Sequence, residues 1–240
     1  MTHRSLTAVA LISMASTATA EGDWIVGIAI DGGQSPYVGD EDSVEALPYV
    51  AFETDTFHIG IDGLRYQVFD NGPLSLEASL EPRFSPDFPD TDLFDGLKRD
   101  DTLDAGLAAT YSFGQAYAQA TVEGDVTGVH DGYSISFAVG YEAEAAFALI
   151  GASAGVRFRD ANLNNYLYGV SADEATASRS AFKMSDTANA FAEITALMPV
   201  AEDVFLIGEV SFIDLGDTAD SPLVDRDHLV GVTIGVGYQF

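Results

Sequence analysis

The residues that could do chemistry are few and scattered. Gly151-Ala152-Ser153-Ala154-Gly155 matches the G-x-S-x-G pattern in which a strained strand-to-helix turn exposes a nucleophilic serine. The flanking residues, from Phe147 and Leu149 to Arg157, continue a strand pattern, and no helical pattern follows. Small residues where a strand bends are therefore the better reading. His58, His130 and His228 stand far apart, none at metal-ligand spacing with another, and no H-E-x-x-H occurs. His130 beside Asp125 and Asp131, or His228 beside Asp225 and Asp227, has the residue types of an Asp/His hydrolase site, but the more ordinary reading is a loop with solvated acids. Cysteine is absent, which removes disulfides, thiolate ligation and a Cys nucleophile. The expectation is a chain with no catalytic residue, no cofactor and no bound metal.

Charge narrows the partners. There are 38 Asp and Glu against 10 Lys and Arg, a formal net charge of −28, and no basic stripe, so a polyanion such as nucleic acid would be repelled. Acidic loops keep such a chain solvated, and a cation-attracting surface is the functional counterpart.

The elements that must position these residues are short. The first twenty residues read as an export signal: Met1 to Arg4 is a polar head, Leu6 to Met14 is apolar, and Ala18 and Ala20 are the small residues a signal peptidase reads. Cleavage after Ala20 would leave Glu21 first. Ser13, Ser16 and Thr17 interrupt the apolar run, which falls short of the roughly 18 residues a membrane-spanning helix needs. Beyond it no window is long and apolar enough to span as a helix, although 47% of the chain is hydrophobic, so the apolar residues must be spread over many strands.

The alternation has a period of two. Tyr133, Ile135, Phe137, Val139 and Tyr141 oppose Gly132, Ser134, Ser136, Ala138, Gly140 and Glu142; Leu103 to Phe113 and Leu74 to Leu80 repeat the pattern. Uniformly apolar faces opposite Gly, Ser, Thr, Gln and Glu suit a barrel that turns its apolar face to lipid, with Trp24, Phe84, Phe113, Tyr133 and Phe212 in interfacial girdles. We expect one domain, residues 21–240, folded as an all-β antiparallel transmembrane barrel. Twelve strands are expected, with ten as the alternative, starting near Trp24, Leu47, Phe57, Leu74, Thr102, Gln115, Gly132, Ala146, Asn165, Ala188, Asp203 and Leu229. The tight links at Asp70 to Pro73, Gly114, Glu142 to Ala145 and Met198 to Glu202 share one side only if the segment around Tyr166 does not span, which makes the count odd and implies that an N-terminal segment also fails to span. The chain ends on an alternating strand, Ile234, Val236, Tyr238 and Phe240, resembling the terminal strand by which outer-membrane barrels are recognised for assembly.

The faces turned inward would carry Glu77, Glu81, Arg83, Asp104, Glu123, Glu142, Arg157, Glu193 and Glu209, with Arg65 and Arg159 as further bases. Such charges need water or partners. They could form a paired plug of side chains or a narrow cation-preferring pore.

Several patterns together resemble one family, the MltA-interacting protein family, also called MipA/OmpV. They are Ser35-Pro36-Tyr37-Val38-Gly39, Leu47-Pro48-Tyr49, Gly63-Leu64-Arg65-Tyr66, Asp95-Gly96-Leu97 to Arg99, Asp125 to Gly132, Asn164 to Val170, Asp173-Glu174-Ala175, Ser221-Pro222-Leu223-Val224 and Gly237-Tyr238-Gln239-Phe240. The resemblance runs over the whole mature chain. It implies a barrel in the outer membrane of a Gram-negative bacterium, in contact with outer-membrane lipid and the barrel assembly machinery. It also implies a scaffold for a murein transglycosylase and a peptidoglycan synthase, as for the founding member; other members are described as porin-like or adhesive. No catalytic residues are implied. A narrow porin-like channel for small cationic solutes is the alternative function, and a barrel hydrolase a third.

Overall fold

The computed structural model of the chain describes residues 22–145 and 147–240; the expected signal segment and Glu21 lie outside them. Twelve strands follow one another: β1 (Asp23–Gly33), β2 (Ser43–Glu53), β3 (Phe57–Gly60), β4 (Gly63–Asp70), β5 (Leu74–Arg83), β6 (Thr102–Phe113), β7 (Ala116–Asp125), β8 (Tyr133–Ala145), β9 (Ala148–Arg159), β10 (Thr187–Pro199), β11 (Val204–Asp214) and β12 (His228–Gln239). A helix, α1 (Ala161–Tyr168), lies between β9 and β10, and a 3-10 turn (Gly216–Asp220) lies between β11 and β12. Every strand is antiparallel to its sequence neighbour, and β12 returns to pair with β1, so the sheet closes without an end. Closure runs through Ile28↔Val236 and Ile30↔Ile234, and the terminal residue completes it: Trp24 and Phe240 exchange N–H···O bonds of 2.9 Å in both directions.

The two faces differ as the period-two pattern requires. Phe137 is 55% exposed, Val139 61% and Ile234 62%, while Ser134, Asp104 and Asn189 on the opposite face are buried. Large apolar side chains left open all round a closed wall are arranged for a hydrocarbon solvent. Trp24, Phe113 and Phe240 at one end of the wall and Phe84, Tyr133 and Phe212 at the other are also exposed, forming two aromatic belts. Among the described residues no helix is long and apolar enough to cross a membrane, so crossing falls to the strands.

The count of twelve is met by a different set of strands from the one expected. The segment at Asn165 is helix, not strand. Asp160 caps it by accepting from Leu163 N at 3.0 Å, and Leu163, Asn164, Tyr166 and Leu167 are buried at helical spacing. Tyr166, Tyr168 and Val170 alternate in sequence as a strand would, but in the structure Tyr166, Leu167 and Tyr168 are all buried, a burial that does not alternate. The segment at Phe57 is two strands, β3 and β4, reversed by Ile61–Asp62 between the paired Gly60 and Gly63. Gly63 has φ +124°, and a side chain there would strike the Leu80 backbone, so this turn needs glycine. The even count is thus restored by an added N-terminal strand, not by the loss of one. Short links after β2, β4, β6, β8 and β10 share the end that holds both termini, and the long connections 34–42, 84–101, 126–132, 160–186 and 215–227 share the other. Long loops face outward in such barrels, which sets the outer mouth.

Candidate functional site

Among the described residues, the main cluster of buried apolar side chains is not in the wall. It lies across the outer mouth and is built from four of the long connections: Tyr37 from the first, Phe94 and Leu97 from the second, α1, Val170 and Met184 from the fourth, and Leu215, Leu223 and Val224 from the last. These connections leave the ring at separate places, so side chains that meet must cross the bore. Tyr37 is fully buried, its ring 5.0 Å from Phe88 and 5.6 Å from Phe94 in edge-on contact, and its hydroxyl donates to Leu167 O at 3.0 Å. A bridge between Tyr37 and Val224, with Val38 N donating to Leu223 O, ties the first connection to the last. We refer to this assembly as the lid.

Two arginines fasten the lid. Arg99 donates from Nε to Tyr166 O (2.5 Å), from Nη2 to Gly169 O (3.0 Å) and from Nη1 to the Glu174 carboxylate (2.6 Å). Arg179, 2% exposed, donates to the carbonyls of Glu174 and Leu93. Guanidinium groups suit this work because one planar fork satisfies several fixed acceptors. Burial raises the Tyr37 phenol well above its ordinary range, with the neighbouring Tyr168 adding to it, and pushes Tyr166 up to about 12. Burial also disfavours the charge of Glu174, but the Ser171 backbone and hydroxyl and then Arg99 outweigh it and hold the carboxyl below its usual range.

A polar layer joins the lid to the wall. Arg83 donates twice to Asp104 Oδ2, at 2.8 and 2.5 Å, and Asp104 Oδ1 lies 3.1 Å from His130 Nε2. Gly132 N–H donates to His130 Nδ1 at 3.0 Å, so Nε2 carries the ring proton and gives it to Asp104. The His130 ring sits 5.2 Å from Tyr166 of α1. Asp125 accepts from the N–H groups of Thr127, His130 and Asp131, which sets the loop in which Asp131 takes φ +50°. On the other side Arg159 donates to Asn189 (2.9 Å), and Asn189 donates to Leu215 O (2.6 Å). Asn164 of α1 reaches Ser185 O and Thr187.

Asp104, Asp125 and His130 lie close enough to hold a metal ion. Their ligand atoms already take part in bonds to Arg83, to backbone N–H groups or to one another, so an ion there would compete with those bonds. The same bonds leave His130 no nitrogen to take a proton from a nucleophile. Ser153 lies in the middle of the continuous strand β9, in register with Gly140 and Glu193, without a strand-to-helix turn. His58 bonds Asp62 at 2.9 Å, and His228 stacks on Phe212 at the outer belt, 5.6 Å between rings.

The structure places the inward charges at different depths. Arg83 and Asp104 join the polar layer; Glu123 accepts from Ser134 at 3.1 Å; Arg157 lies over the Phe191 ring, 5.5 Å from its centre. Glu77, Glu81, Glu142, Glu193 and Glu209 occupy the same inner face, read from the strand registers. Missed by the sequence reading as functional residues were Tyr37, Arg99, Asn164, Arg179 and Asn189. The signal for the first three was present: the patterns at 35–39, 95–99, 164–170, 173–175 and 221–224 that carry the family resemblance all lie in the lid.

Comparison with known proteins finds relatives along nearly the whole chain. The outer membrane protein YiaT of Escherichia coli K12 is 27% identical over 99% of both chains. The MltA-interacting protein of the same organism is 25% identical over 97% of this chain and 96% of its own. Outer membrane protein OmpV of Vibrio cholerae is 25% identical over 92% and 88%. With relatives named as outer membrane proteins and a wall built for lipid, the outer membrane is where this barrel resides. The family model described as MltA-interacting protein MipA matches residues 26–240, and the chain belongs to that family.

Proposed function

We propose that this chain is a non-enzymatic scaffold of the cell envelope that positions peptidoglycan-remodelling enzymes, a murein transglycosylase and a peptidoglycan synthase among them. The observation that carries this reading is the lid: four connections interlock across the outer mouth through buried aromatic and arginine contacts, an arrangement that favours holding a shape over passing solutes. The family name and the printed name of one relative, MltA-interacting protein, support the choice of partner. The periplasmic rim would be the contact surface. Its exposed turn residues include Asp55, Asp70, Glu144, Glu202 and Asp203, and no lysine or arginine stands in those turns, so it suits a basic partner face. Pull-down from native membranes in mild detergent tests this: cell-wall enzymes are expected to travel with the barrel, and their failure to enrich over an unrelated barrel would overturn the reading.

A second reading, a narrow porin-like channel for small cationic solutes, draws on the excess of inward acids over arginines. We also propose that export leaves Glu21 as the first residue and that the strand ending at Phe240 is the assembly signal.

A further inference from the structure

We infer that the lumen beneath the lid holds a binding site for a linear zwitterion the length of a short peptide, its carboxylate taken by Arg157 and Arg159 and its ammonium by Glu193 and Glu142. Among the described residues, Arg65, Arg83, Arg99 and Arg226 each pair with a carboxylate, and Arg179 is spent on lid carbonyls. Arg157 and Arg159 pair with none, although acids outnumber bases 38 to 10 in the chain. Arg159 gives one bond to the neutral amide oxygen of Asn189, at 2.9 Å, and Arg157 rests on the Phe191 ring. A guanidinium keeps its charge and has a fork of N–H donors. Two of them, half-buried and two residues apart on the inner face of β9, are suited to a carboxylate.

Unpaired acids stand further along the same strip of wall. Arg157 is in register with Ser136 and Asn189, Glu193 with Ser153, and Glu142 with Gly151, all on the inner faces of β8, β9 and β10. Neither Glu193 nor Glu142 makes an ion pair among the described residues. The rows of Arg157 and Glu193 lie four residues apart, roughly 13 Å, so the two sets of charge do not satisfy each other directly. A simple anion would have to pass the acids of the periplasmic half, and a simple cation would end its path at the arginines. One molecule with a negative and a positive end about 13 Å apart, the span of four extended residues, meets both.

The wall between the two ends is low. Its inward residues are Ser136, Ala138 and Gly140 on β8 and Ser153 and Gly155 on β9, all half-buried. The Tyr117 ring lies over Gly140 and the Phe191 ring over Gly155, where a Cβ would strike them, so both rings fold against the wall instead of crossing the bore. The lid covers the outer route to this strip, which leaves the periplasmic one.

Equilibrium dialysis of the full barrel in detergent against radiolabelled tetra-alanine tests the proposal, with its C-terminal amide and its N-acetyl form as competitors. Tetra-alanine is expected to be retained, and each blocked form, lacking one end charge, to bind about tenfold more weakly or worse. Arg157→Gln and Glu193→Gln should each weaken retention by a similar factor, whereas Lys183→Gln, at an exposed cation of the lid, should leave it unchanged. Folding of each variant is read from heat-dependent gel mobility, and the comparison of the three peptides on the unmodified barrel needs no variant. No retention of tetra-alanine, equal affinity for the three peptides, or retention that folded Arg157→Gln and Glu193→Gln barrels leave intact would overturn the proposal.

Discussion

The wall and the lid bury apolar residues in opposite senses. In β8 and β12 the large side chains point out, with Phe137 and Ile234 more than half exposed, and the wall gains its stability from closed hydrogen-bond ladders in a solvent that cannot compete for them. In the lid, Tyr37, Leu163, Leu215 and Leu223 are buried almost completely, and irregular backbone is satisfied by side chains such as Arg99, Arg179 and Asn189. The wall is thus a membrane object and the lid a small water-soluble core held over its mouth. Substitutions should divide along that line.

The largest effect is expected in the lid. Tyr37→Ala removes a fully buried ring and its bond to Leu167, a loss of about 3 to 5 kcal/mol by analogy with other buried aromatic truncations. That loss should open the loops to protease at 84–101 and 171–183 while the heat-dependent gel mobility of the barrel is kept. Collapse of the whole barrel would show that lid and wall fold as one unit.

Next comes the wall itself. Phe137→Arg puts a charge against lipid at mid-strand and should cost about 2 to 4 kcal/mol in reversible unfolding from vesicles, whereas Ser136→Arg faces the lumen and should cost much less. Equal costs would break the distinction between the two faces.

Smaller effects sharpen the lid's internal wiring. Asp160→Ala removes the cap of α1 and an acceptor for Tyr133 N, at about 1 kcal/mol. Amide exchange in 161–168 should quicken without change in β9. Glu174 has a carboxyl held below its ordinary value in the folded lid, so its contribution is present above the unfolded pKa and is lost as pH falls through the folded one. Loop exchange at 169–179 should therefore rise on acidification, and Glu174→Gln should flatten that pH dependence.

The wall was legible in the sequence because its period-two code is local: Tyr133 to Tyr141 state the register of β8, and Val232 to Phe240 that of β12, without reference to any other segment. Two segments misled for physical reasons. Phe57 to Asp70 reverses at Ile61–Asp62, where the local marks are two glycines set three apart and the Asp62-Gly63 dipeptide, in a stretch read as one strand. Tyr166, Tyr168 and Val170 alternate like a strand, although Asp160 caps a helix there and the side chains of Asn164 and Asn165 tie that helix to Ser185 and Met184. The lid was not legible as a site because its contacts join residues far apart in sequence, such as Arg179 with Leu93 and Tyr37 with Leu167. No periodicity encodes those pairs. The acids on the strands could be assigned to a face from alternation, but that Asp104 would meet both Arg83 and His130 depended on the β5–β6 register and on the loop set by Asp125.

Planar-bilayer recording of the purified barrel tests the central claim, that the lid seals the outer mouth. A sealed mouth predicts little or no steady conductance, cation preference in whatever current passes, and a clear rise in conductance for Tyr37→Ala. Large, stable channels in the unmodified protein would contradict the account and favour the porin reading, and anion selectivity would contradict the placement of the inward acids.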